Sequence, residues 1–147
     1  MFRRMAIVVV AGTLAGVAFA GSLASIGQAG YATTACARSA QVVIVDLDNR
    51  KHIHILRHVW AAIKRGHAAI LHIDRVGADQ NREEATGHYP TRPGYDRDEY
   101  PPAIAREGGK GADIRYVKSG ENRSAGASMG NQLRSYCNGQ AFRFEAR

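Results

Sequence analysis

The chain has 147 residues, 45% hydrophobic and 22% charged, with a formal net charge of +7. Setting aside an N-terminal export signal leaves roughly 110–125 residues, which excludes more than one sizeable domain and allows a single small core. The basic surplus is still +5 (7 − 2) without Arg3 and Arg4. It points to a polyanionic partner: nucleic acid, a cell-wall polymer or an anionic membrane surface.

Arg3 and Arg4 precede an uncharged, mostly apolar run from Ala6 to Ala20. Ala18-Phe19-Ala20 and Ile26-Gly27-Gln28-Ala29 then offer small residues for cleavage. This layout predicts a signal peptide over about residues 1–29 and a secreted, extracellular protein. The apolar run is short for a membrane anchor and breaks at Gly21-Ser22. Thr33-Thr34-Ala35 lacks the aliphatic residue expected before a lipidated Cys36. Cys36 and Cys137 form an even pair that oxidises outside the cytoplasm. A bridge closing so long a loop is worth about 4–5 kcal/mol in the chain-entropy model.

Gln41 to Val45 is β-branched and bounded by aspartates, which predicts a buried strand. From His54 to Gly66 the apolar residues Leu56, Val59, Trp60 and Ile63 fall at i, i+3, i+4 and i+7, the stripe of an amphipathic helix. Ala68 to Ile73 predicts a strand, Gln80 to Ala85 one helical turn, and Thr86 to Tyr95 a loop with two Gly and two Pro. Pro101 to Glu107 predicts a short helix stopped by Gly108-Gly109, with the preceding carboxylates at its positive end. Ile114 to Val117 predicts a strand. Asn122 to Cys137 predicts a helix capped at Asn122 or Ser124, with Met129, Leu133 and Tyr136 on one face. Ala141 to Glu145 alternates as a closing strand. The order is α+β: a small single domain with a short sheet packed with helices.

The chemistry concentrates in Tyr95-Asp96-Arg97-Asp98-Glu99-Tyr100-Pro101-Pro102. Three carboxylates so close cannot all ionise freely, which is how a tuned base or a cation site is made. His54 and His58 lie four apart and could form one edge of a zinc site. No glutamate follows as a metalloprotease requires, and no further ligand is suitably spaced. They are predicted as ordinary helix-surface histidines, and His72 as structural. Gly108-Gly109-Lys110-Gly111 lacks the ending of a phosphate loop. Ser124 and Ser128 have no nucleophile elbow. Asp96, Asp98, Glu99, Glu121, Asn122 and Asn131 supply the oxygens that a hard divalent cation takes. Arg75, Arg82, Arg97, Arg115 and Arg123 supply cations. A phosphodiester hydrolase needs this mixture; a structural salt-bridge network would use the same residue types.

Five blocks carry a resemblance. They are Ile73-Asp74-Arg75; Asn81-Arg82-Glu83-Glu84; Gly94-Tyr95-Asp96-Arg97-Asp98-Glu99-Tyr100-Pro101; Glu107-Gly108-Gly109-Lys110-Gly111-Ala112-Asp113-Ile114-Arg115-Tyr116-Val117; and Glu121-Asn122-Arg123-Ser124-Ala125-Gly126-Ala127 with Gly130-Asn131. In this order, over about residues 70–145, they resemble the NucA/NucB extracellular deoxyribonuclease family. The resemblance implies a domain over 36–147 with a ββα-metal type nuclease core. It implies a secreted, metal-dependent, non-specific endodeoxyribonuclease that uses Mg2+ or Mn2+ and no small-molecule cofactor. The expected protein is a monomer that binds DNA without strong sequence preference, and a proteinaceous inhibitor is a compatible further partner.

In wider relatives an Asp-Arg-Gly-His turn supplies a histidine base. Here Asp96-Arg97-Asp98-Glu99 stands in its place, so a carboxylate replaces the histidine. Asp98 is the first choice of general base and Glu99 the second, with Asp96 and Arg97 in the same catalytic run. Asn122, Asn131 and Glu121 are the metal-ligand candidates, and Arg75, Arg82 and Arg123 the phosphate contacts. Tyr100 stands where the family often has Trp. The alternatives are a catalytically silent secreted module holding DNA or cell-wall polymer, and a nuclease toxin.

Overall fold

The computed structural model describes residues 35–147. The predicted signal segment at residues 1–29 lies outside them. β1 (Val43–Leu47) sits two residues later than the β-branched run predicts, so that Val45 and Leu47 alternate into the core. α1 (Ile53–Lys64) buries Ile55, Leu56, Val59 and Ala62. Its buried stripe is rotated from the predicted one. Trp60 is 44% exposed, and His58 is fully buried in its stead. β2 keeps only Leu71–His72 of the longer predicted strand. α2 (Ala78–Thr86) exceeds the single predicted turn, and the Asp74 carboxylate accepts from Gly77 N–H just before it.

The largest departure lies in the acidic run. Tyr95–Tyr100 is strand β3, paired antiparallel with β4 (Asp113–Lys118). The residues after it form turns where a helix is predicted. Pro101 and Pro102 have no N–H to donate. The backbone instead makes i→i+3 bonds, Ala105 N–H to Pro102 and Gly108 N–H to Ala105. Gly109 (φ 88°) carries the turn back toward β4. A Cβ there would stand 2.9 Å from Asn81 Oδ1 and 3.0 Å from Glu84 Oε2, so only glycine fits.

α3 (Ser119–Leu133) begins directly after β4, with Lys118 as its N-cap. Asn122 and Ser124, the predicted caps, lie inside the helix. β5 (Ala141–Ala146) alternates as predicted, burying Phe142 and Phe144. It is the middle strand of a three-stranded sheet ordered β1-β5-β2, parallel to β1 and antiparallel to β2. The architecture is α+β.

Fully buried Val45, Leu47, Leu71, Leu133 and Phe142 join Leu56 and Tyr100 in one core. Each large apolar side chain there contributes about 1.5–3 kcal/mol by leaving water. Met129 and Tyr136 pack against this core with Leu133, the face the sequence predicts. Cys36 and Cys137 are bridged, closing a separation of 101 residues. No described helix is long and apolar enough to cross a membrane.

Candidate active site

Strand alternation divides the acidic run between two sides of the hairpin. Asp96 and Asp98 reach α3 and α1; Arg97 and Glu99 reach α2. Besides an isolated Arg92–Tyr95 bridge, β4 alone pairs with β3 among the described residues. Two adjoining cavities lie along β3 and share Arg82, Arg97, Glu99 and Asn122. Asp98 lines the first, with Tyr100, Ala125, Gly126 and Met129. Asp96 and Thr91 line the second.

Each carboxylate has its own environment. Asp98 Oδ2 lies 2.5 Å from His58 Nδ1. Its side chain keeps 16% of its exposure, and burial pushes its carboxyl above the usual range against the pull of His58. Glu99 is held more tightly. Its Oε1 lies 3.3 Å from Arg82 Nη1, its side chain is 8% exposed, and its Oε2 is buried with no partner. Burial raises its carboxyl too, with Arg82 opposing. Asp96 goes the other way. Arg123 and then Ser119 donate to it and lower it. Burial alone would raise Asp113, but hydrogen bonds from Arg65 and His58 outweigh it and lower the group. Thus burial raises two adjacent carboxyls while hydrogen bonds lower Asp96 and Asp113, the separation of environments that marks acid–base sites.

The other predicted site residues are placed differently. Arg97 donates to the Thr86 and Tyr89 carbonyls, tying the end of α2 to β3. Arg123 is 76% exposed beside Asp96. Arg75 donates to the Leu133 and Tyr136 carbonyls, a cation at the negative end of α3 away from the cavities. Asn131 is nine residues from Asn122, two and a half turns, so it faces the opposite side of α3 about 13 Å along the axis. Its Oδ1 accepts from Arg134.

Glu121 performs a capping role across helices. α1 has no side-chain cap of its own. Glu121 Oε1 accepts from His54 N–H at 2.8 Å and Ile55 N–H at 3.4 Å, and Oε2 meets His54 Nδ1 at 2.8 Å. Glu121→Ala is therefore expected to cost about 1–2 kcal/mol in urea unfolding, and Glu121→Gln, which still accepts, distinctly less. Lost cleavage at unchanged stability would assign Glu121 to the metal instead.

His58, predicted as a surface residue, joins the site from beneath, with Asp113 Oδ1 3.1 Å from its Nε2. Arg65 donates to Asp113 in turn. Two carboxylates flank one ring, one at each nitrogen. The signal was present in the pattern: Ile55, His58, Val59 and Ala62 are themselves spaced i, i+3, i+4, i+7.

Residues 64–145 match the family described as deoxyribonuclease NucA/NucB. That span holds α2, the β3–β4 hairpin and α3. A curated relative, the DNA-entry nuclease of Bacillus subtilis (strain 168), is 42% identical over 83 residues. The match covers 56% of this chain and 56% of the relative, so the chain spans little more than half of that protein's length. The family match takes in Asp96, Asp98, Glu99 and Asn122 together with the elements that carry them, and on that extent the chain belongs to the NucA/NucB deoxyribonuclease family.

Proposed function

We propose that the protein is a secreted, metal-dependent endodeoxyribonuclease without strong sequence preference, whose ββα-metal type core is β3, β4 and α3. The observation that carries this reading is the buried, unpartnered Oε2 of Glu99 in a cavity shared with Asn122 and bordered by Asp98. A buried carboxylate oxygen without a partner is costly unless something pairs with it. The surrounding donors are oxygens. Glu99 and the Asn122 amide would hold Mg2+ or Mn2+, a sparse protein set of the kind that leaves waters on the ion. Bound there, the cation would supply Lewis-acid stabilisation of the charge on the phosphate and the departing oxygen.

The chain's own groups do the rest. Asp98 takes the proton of the attacking water. Arg82, 63% exposed at the rim, and Arg123 grip flanking phosphates. Arg97 holds the cavity wall through the Thr86 and Tyr89 carbonyls. Phosphate contacts carry no base information, which supports sequence tolerance. The disulfide supports an oxidising compartment.

Purified protein incubated with supercoiled plasmid should nick and linearise it in magnesium or manganese and leave it intact in EDTA. Salt-sensitive DNA binding without cleavage in either metal would favour the silent binding module. Cleavage undiminished in EDTA would overturn the metal assignment.

A further inference from the structure

We propose that His58 is a positioning residue that sets the orientation of the Asp98 carboxylate, and that Asp113 and Arg65 brace it from behind. The inference rests on Asp98 acting as the base. His58 lies N-terminal to the segment that matches the family, so this role comes from the geometry of α1 against the hairpin.

Asp98 pairs across the hairpin with Arg115, and Tyr100 pairs with Asp113. Asp98 and Asp113 are therefore diagonal neighbours on one face, about 7–8 Å apart. An imidazole with a hydrogen bond at each nitrogen spans that gap. α1 delivers one: His58 is fully buried, 2.5 Å from Asp98 Oδ2 and 3.1 Å from Asp113 Oδ1. Arg65 comes seven residues later, two turns along the same face of the chain. Its Nε donates to Asp113 Oδ2 at 2.7 Å. The line runs Arg65, Asp113, His58, Asp98, and every link is a charge-assisted or buried hydrogen bond.

The line ends at the cavity. Oδ2 of Asp98 is taken by His58, while Oδ1 has no hydrogen bond among the described residues and the side chain is partly open. One carboxylate oxygen is fixed and the other left for a water. A burial role alone would not require the ring to stop at the one carboxylate of this face that lines the first cavity.

The two amide isosteres of histidine separate positioning from packing. Asn places its NH2 near the Nδ1 position and Gln near Nε2. His58→Asn keeps the donor toward Asp98; His58→Gln keeps the one toward Asp113. On a short duplex substrate in magnesium, His58→Gln should lose about 100-fold in kcat with KM within twofold, the scale of a misplaced reacting group. His58→Asn should retain at least ten times the kcat of His58→Gln. Asp113→Asn, which leaves the ring in place, should lose about tenfold in kcat alone and serves if either His58 variant fails to fold. In an Asp98→Asn background His58→Gln should add nothing further, since both act through one carboxylate.

Equal kcat for the two His58 variants, or additive losses with Asp98→Asn, would overturn the positioning role and leave the base assignment standing. Near-full activity of Asp98→Asn alone would overturn the base assignment and this inference with it.

Discussion

Asp98→Asn should lower plasmid cleavage by about two orders of magnitude or more while the folded protein keeps or gains thermal stability. The amide keeps the shape, and its oxygen can still accept from His58 Nδ1, 2.5 Å away in the native site. What it loses is the ability to take a proton from water. The stability side follows from burial, which holds the Asp98 carboxyl above its ordinary value of 3.8. At neutral pH its ionised form is therefore a cost to the fold that the amide removes. Near-native cleavage would move the base to Glu99. Lost cleavage with a large drop in melting temperature would mean that Asp98 supports the hairpin rather than the chemistry.

Glu99→Gln should raise the magnesium needed for half-maximal cleavage by at least the 10–100-fold typical of losing an outer partner of a metal site. It should also change how stability depends on pH. Burial raises the folded Glu99 carboxyl above its ordinary 4.5. Below that value both folded and unfolded chains carry the proton, and nothing is lost. As pH rises past 4.5 the unfolded chain ionises freely while the folded one resists, so stability falls until the folded group also titrates. In EDTA the native protein should lose melting temperature between about pH 4.5 and neutrality, and Glu99→Gln should lose less. Magnesium should restore stability to the native protein at neutral pH and not to the variant. Parallel pH slopes for the two proteins, with equal response to magnesium, would remove Glu99 from the cation site.

The parts of the fold that were legible are those governed by local periodicity. α1, the alternation of β5 and the Met129–Leu133 face of α3 follow from spacing alone. The cysteine pairing followed from compartment chemistry. The run Asp96–Glu99 was not legible as a strand, because its stabilising partners are distant in sequence: Arg115 opposite Asp98, Ile114 opposite Glu99 and Val117 opposite Asp96. Read locally, like charges before two prolines suggest a helix entrance. An acid does stand at a helix start, but the acid is Asp96 and the helix α3. The sequence offers the candidate residues but not how they are arranged. Glu121, read as a metal ligand, bonds the start of α1, and Arg75, read as a phosphate contact, bonds the end of α3. His58 fits a surface histidine until two carboxylates from a hairpin some 40 and 55 residues later close on it.

β5 follows every other described element, yet it is the strand that joins β1 to β2. Its Phe144 also forms part of the wall of the Asp98 cavity. Neither β1 nor β2 can complete its pairing, and the cavity cannot acquire that wall, until residues 141–146 have emerged. Such long-range closure is slow relative to local helix formation. The order of the strands thus makes the sheet and the cleft one closure: β1, β2 and the Phe144 wall of the Asp98 cavity all wait on the same six residues.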